Sequence, residues 1–127
     1  MAKNKTNKVK SSSNKAKQYV YIVQASDALS FCKIGITDDY QERLKTYNNT
    51  TGKPKNISIF QYLFVCETKN MKKLEDEIKK NFRHLREIPT KEVYFCNKDL
   101  IKSYVNFIKQ NPLFVKEVYI KSEEKNK

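Results

Sequence analysis

No apolar run in this chain approaches the roughly 20 residues that a membrane-crossing helix needs, so a helical membrane protein is excluded and no membrane partner is expected. A secretory leader is not expected either, because Met1 is followed by Lys, Asn and Ser with no apolar stretch. Histidine occurs once. Cysteine occurs three times (Cys32, Cys66 and Cys96), an odd number without C-x-x-C spacing, which leaves neither a Cys/His zinc finger nor a disulfide framework. These absences predict an unstapled fold in a reducing, intracellular setting, cytoplasmic or, in a eukaryotic host, nuclear. Acidic groups are scarce too. The 14 Asp and Glu face 26 Lys and Arg for a formal net charge of +12, and that imbalance points to a polyanionic partner.

What is present suffices for one domain with tails: 127 residues, 39% of them hydrophobic. The charge is uneven. Residues 1–17 hold Lys3, Lys5, Lys8, Lys10, Lys15 and Lys17 and no acid, so half of the net charge lies there. With one Val, one Met and two Ala, this stretch cannot bury enough apolar surface to offset the entropy of ordering it, and a disordered tail is expected. Lys3, Lys5, Lys8 and Lys10 would lie along nucleic-acid phosphates, releasing counterions without choosing a sequence. The same lysines also read as a solubilising tail.

Residues 18–24 (QYVYIVQ) are β-branched and aromatic and predict a strand, as do residues 31–36 (FCKIGI). The six residues between them suit an antiparallel hairpin. Thr37, Asp38 and Asp39 offer N-cap oxygens for a helix over 39–48, with Tyr40, Leu44 and Tyr47 on one face. Residues 48–55 form a loop by composition, and residues 56–66 (NISIFQYLFVC) a third, central strand. A helix over 71–82 places Met71, Leu74, Ile78 and Phe82 along one stripe. A polar connection over 83–91 leads to residues 92–96 (EVYFC), a short strand or extended segment, and then to a last helix through Lys109 that Pro112 stops. The order predicts an α+β domain: a small central antiparallel sheet of about three strands, begun by a β-hairpin and flanked by α-helices. That domain is expected over 18–111, between the tail at 1–17 and a C-terminal extension at 112–127 that carries an edge strand and a frayed end.

Some residues are not explained by a core. Strand alternation puts Val20 and Ile22 with Ile34 and Ile36 on a buried face, so Tyr19, Tyr21, Lys33 and Gly35 are expected to look outward together. Glycine weakens a strand interior and often marks the close approach of a ligand or another backbone. Arg43 and Glu75 border the apolar stripes of their helices. Two phenols, an ammonium, a guanidinium and a carboxylate are thus expected to converge at one edge of the sheet.

Tyr19-Val20-Tyr21, eleven intervening residues, Lys33-Ile34-Gly35, an arginine eight positions after the glycine and a glutamate on the next helix resemble the GIY-YIG nuclease superfamily. The likeness is nearest its phage- and virus-rich branch, where the second motif commonly reads K-I-G. Lys33–Thr37, Arg43-Leu44, Leu74-Glu75 and Glu92–Phe95 follow the order of that branch. The resemblance covers roughly residues 18–96 and implies a GIY-YIG-like fold and metal-dependent hydrolysis of DNA phosphodiester bonds. It implies that Glu75 holds one Mg²⁺ or Mn²⁺ ion, that Arg43 clamps the scissile phosphate and that Tyr21 orients or deprotonates the attacking water. It adds Lys33 and Tyr47 to the catalytic set, and Tyr19, Gly35 and Lys79 join the tail lysines as DNA-binding candidates. Lys33 stands where a two-tyrosine site has its second phenol, and Lys79 where many relatives have histidine.

Those departures keep a second reading open, a nucleic-acid-binding module with catalysis impaired, and a protein-interaction or inhibitor module is a third. A stand-alone unit of this size also leaves room for a homodimer or a recruiting partner. Taken singly, Tyr21 reads as a half-buried aromatic, Lys33 as an edge charge and Glu75 as a partner of Lys72 or Lys79. His84 reads as a surface residue and the cysteines as small buried groups.

Overall fold

Gln18–Ala25 forms strand β1 and Phe31–Thr37 forms β2 of the computed structural model, which describes residues 17–49, 59–86 and 92–121. The two pair antiparallel from Tyr19 opposite Thr37 to Val23 opposite Lys33, the hairpin that their β-branched runs predict. Helix α1 (Tyr40–Tyr47) starts at Asp39, whose side chain accepts from the Glu42 amide at 3.0 Å. Then come β3 (Phe60–Thr68), α2 (Met71–Asn81), a 3₁₀ turn (Arg83–Leu85), β4 (Val93–Phe95), α3 (Lys98–Gln110) and β5 (Phe114–Ile120). Asn70 and Asn97 cap α2 and α3 by accepting from the amides of Lys73 and Leu100. No helix among the described residues is long and apolar enough to cross a membrane. The lysines at 3, 5, 8 and 10, most of the loop at 48–55, much of the 83–91 connection and the last six residues lie outside the described residues.

The sheet runs β4-β2-β1-β3-β5, each neighbouring pair antiparallel. It therefore has five strands where the sequence predicts about three. The two additional strands are both edges. β4 contributes only three residues, too few for alternation to show, and it is defined by pairing Val93, Tyr94 and Phe95 with Lys33, Cys32 and Phe31. β5 is mostly exposed and carries Lys116 and Glu117 in mid-strand, so its hydropathy resembles a loop, yet it pairs with β3 from Phe114 to Ile120. The centre of the sheet is β1, not the more apolar β3.

That central place explains why Val20, Tyr21, Ile22 and Val23 are all buried without alternation, since both faces of β1 are covered. On one face Val20, Ile22, Ile34, Phe64 and Tyr94 meet Leu74 and Ile78 of α2 and Tyr104 and Ile108 of α3. On the other, Tyr21, Val23, Tyr62 and Val65 form a second cluster, with Tyr40, Leu44 and Tyr47 of α1 packed against it. Tyr21, expected to look outward, is only 2% exposed. The correction has a simple cause: the apolar stripe of α1 needs a cover, and the tyrosine ring supplies one while its hydroxyl stays polar. Cys32, Cys66 and Cys96 are free and buried, and burial pushes the Cys66 thiol up to about 12.

Leu74 is fully buried between α2 and the sheet. Leu74→Ala is expected to lower the unfolding free energy by about 2–5 kcal/mol, read from urea denaturation, and a change under about 1 kcal/mol would contradict this packing.

Candidate active site

Strand β2 loses its outer neighbour partway along. β4 pairs only as far as Lys33, and beyond it the Ile34 amide donates to the Glu92 carbonyl oxygen at 3.1 Å. Gly35 is the next residue. A β-carbon there would stand 2.6 Å from the Tyr21 hydroxyl oxygen, 2.7 Å from its Cζ and 3.1 Å from Glu92 Oε1. The phenol thus arrives over the strand from β1, and the carboxyl arrives along the open edge. Both approaches require position 35 to lack a side chain.

Around Tyr21 the chain gathers the groups of the α1 face. Its hydroxyl shares a hydrogen bond with that of Tyr47 at 2.9 Å, and its ring centre lies 5.4 Å from that of Tyr62. Burial first, then the bond to Tyr47, raises the Tyr21 phenol well above its ordinary value, with Arg43 opposing. Burial raises Tyr47 as well. Arg43 is exposed on α1, and its positive charge acts on Tyr21, Tyr47 and Tyr62. Lys33 Nζ lies 5.3 Å from the centre of the Tyr47 ring and 5.9 Å from that of Phe60, within cation–π range of both. Tyr19 is set apart, its ring edge-on to Tyr40 at 4.9 Å.

Glu75 comes from the opposite side, on the helix that covers the other face. It is 3% exposed although it carries a carboxyl group, next in sequence to Leu74 of the core. Lys72 and Lys79 hold their Nζ atoms 3.7 Å from its Oε1, close enough for charge attraction but too far for a hydrogen bond. Its Oε2 is buried and has no hydrogen-bond partner. A buried, unpartnered carboxylate oxygen is costly, which argues against a purely structural ion pair.

Glu92 joins the two sides. Its carboxyl meets that of Glu75, and the charges of Lys79 and Lys33 act on it. It also acts electrostatically on Tyr21 and Tyr47. Burial first, then the Glu75 charge, raises it above the usual carboxylate range, against the pull of the two lysines. Two ionised carboxylates only accept hydrogen bonds, so they stay in contact through a shared proton or a cation between them.

Tyr21, Tyr47, Arg43 and Lys33 thus belong to the α1 side, Glu75 and Lys79 to the α2 side, and Glu92 interacts with both sets at the sheet edge. Lys3, Lys5, Lys8 and Lys10 lie outside the described residues. The sequence assigns no role to Glu92, one acid at the head of a short strand-like run. It heads the 92–95 segment of the resemblance, and its register beside Ile34 gives it a place at the site. Among the described residues no group of three or more His, Cys, Asp and Glu side chains is placed to hold a metal ion. A cation here would rely on one or two carboxylates, with water and phosphate completing its shell, as Mg²⁺ commonly does.

Gly35→Ala is expected to displace the Tyr21 ring, break its bond to Tyr47 and lower stability by about 1–3 kcal/mol. Urea unfolding measures the loss, and near-ultraviolet circular dichroism of the tyrosines reports the displaced ring. A variant equal to the parent in both would show that the ring yields freely.

No curated protein and no solved structure matches this chain. The T5orf172 domain matches residues 18–109, most of the chain and nearly all of the described fold, and the chain belongs to that nuclease-associated family of phage origin.

Proposed function

We propose that this protein is a metal-dependent DNA endonuclease of the GIY-YIG type. The observation that carries this reading is Glu75: a nearly fully buried carboxylate with one oxygen unpartnered, at an edge where a guanidinium and two phenols lie across the strand. The nuclease-associated family and the net charge of +12 agree with DNA as the partner.

Each side chain has a role that its chemistry supports. Glu75 would hold one Mg²⁺ or Mn²⁺, since a hard cation takes oxygen ligands and the unpartnered Oε2 offers one. Bound there, the ion supplies Lewis-acid stabilisation of charge developing on the phosphate and the leaving oxygen. Arg43 is exposed and presents a planar fork to phosphate oxygens. Tyr21 is hydrogen-bonded and its phenol holds its proton firmly, so it positions the attacking water rather than deprotonating it. Tyr47 holds the Tyr21 hydroxyl in place. Lys33, resting against the Tyr47 ring, adds positive charge where the missing second phenol would stand. Gly35 leaves room for the Tyr21 phenol, while Lys79 and Tyr19 bear on DNA binding rather than on bond cleavage.

One observation favours a second reading, a DNA-binding module with catalysis impaired. The two phenols bond to each other and both resist deprotonation. The readings part in one assay. The purified protein is expected to nick supercoiled plasmid in Mg²⁺ or Mn²⁺, and Glu75→Gln or Arg43→Ala to slow nicking by at least about 100-fold while the fold persists. Cleavage at the parent rate by the Glu75 variant would overturn the assignment. Salt-sensitive DNA binding with no product in either metal would establish the second reading.

A further inference from the structure

Glu92 lies outside every role assigned above, yet it is the group that touches both halves of the site. We propose that Glu92 and Glu75 together form a two-carboxylate site for one divalent cation of the Mg²⁺/Mn²⁺ class, at the open end of β2. The proposal rests on the metal-dependent reading and adds a second protein ligand to it.

Three independent observations lead here. First, Glu75 Oε2 is buried and accepts from no N–H or hydroxyl donor, so apart from the Glu92 carboxyl facing Glu75 it is left without a partner. Second, the Glu92 carboxyl meets the Glu75 carboxyl, an arrangement of like charges that a divalent ion between them turns from repulsion into coordination. Third, Gly35 clears the space beside Glu92 Oε1, where even a methyl group would come within 3.1 Å. That clearance opens toward the Tyr21 hydroxyl, on the side where Arg43 acts.

The lysines do not do this work. Lys72 and Lys79 both approach Oε1 of Glu75, and neither is within hydrogen-bond reach. The Lys72 side chain is 68% exposed and can swing into solvent when a cation enters. Lys33 rests against the Tyr47 and Phe60 rings. The position of Glu92 also explains why its backbone is fastened: its carbonyl accepts from the Ile34 amide, which locks the carboxyl to the strand that carries Gly35. Two carboxylates leave several coordination positions for water and a phosphate oxygen, the usual Mg²⁺ arrangement at phosphate-processing sites.

The test uses the full chain without DNA and Mn²⁺ alone as the probe. Isothermal titration and Mn²⁺ electron paramagnetic resonance should find one bound ion per chain, with affinity reduced at least about tenfold in both Glu75→Gln and Glu92→Gln. Thermal unfolding supplies an independent sign. Without metal, Glu92→Gln should melt above the parent because a facing like charge is gone, and the rise that Mn²⁺ gives the parent should vanish. A metal-free Glu92→Gln that melts below the parent, or fails to fold, would mark Glu92 as a plain partner of Lys33 and Lys79 and overturn the proposal. If Glu75→Gln loses the ion and Glu92→Gln keeps it, the second ligand is wrong and the Glu75 assignment stands. A parent that binds no Mn²⁺ overturns the two-carboxylate site in either case: plasmid nicking in Mn²⁺ would then leave the nuclease reading in place, and its absence would remove both.

Discussion

The arrangement of the site depends on a missing side chain. At Gly35 the Tyr21 phenol occupies the volume a β-carbon would need, its nearest atom 2.6 Å away, and the Glu92 carboxyl stands close beside it. Glycine in a strand sacrifices packing and backbone entropy, and here the return is positional. The phenol belongs to the central strand and to the face under α1. The carboxyl belongs to the chain just before β4 and leads toward α2. Without the gap these two layers would be insulated from each other by a continuous row of side chains.

The same logic accounts for the burial pattern. A sheet covered on one side reads as alternating apolar and polar residues, and β1 departs from that because helices lie on both of its faces. The larger core under α2 and α3 is aliphatic and aromatic. The smaller one under α1 is built largely from tyrosines: Tyr21, Tyr62, Tyr40 and Tyr47 pack their rings, while the hydroxyls of Tyr21 and Tyr47 bond to each other and that of Tyr62 donates to the Tyr40 carbonyl. An aromatic layer of that kind is a core and a polar surface at once. It buries area like phenylalanine but ends in oxygens at the place where an anionic substrate would dock.

Much of this was legible from residue order. The β-branched runs at 18–24 and 31–36, the cap residues ahead of each helix and the stripes through Tyr40, Leu44, Tyr47 and through Leu74 and Ile78 each specify an element locally, and each element forms within a residue or two of its expected bounds. What the residues could not specify was pairing. An edge strand is expected in the C-terminal extension, but its partner, β3, is shown only by the register from Phe114 to Ile120. Alternation sends Tyr21 to the face opposite Val20 and Ile22, and that face is outward only if nothing covers it, whereas α1 does. Glu92 heads a segment that the resemblance includes, but its role is not legible there: it comes from standing next to Ile34 and Glu75, residues remote in sequence, and no local pattern encodes that adjacency.

Glu75 then presents a choice about what a buried acid is for. A carboxylate in a core is tolerated when both oxygens are bonded or when it stays protonated, and replacing it with a hydrocarbon of similar size commonly leaves the fold as stable or more so. Here one oxygen has only distant ammoniums, the other accepts from no N–H or hydroxyl donor, and the group that meets this carboxyl is a second carboxyl. The structure therefore bears an electrostatic cost from which its stability gains little. An acid held under those conditions is already stripped of solvent on one side and oriented toward a second carboxyl. Under the proposed function that pre-organisation, wasteful for folding, would favour capture of a cation, because most of the desolvation would already have been borne.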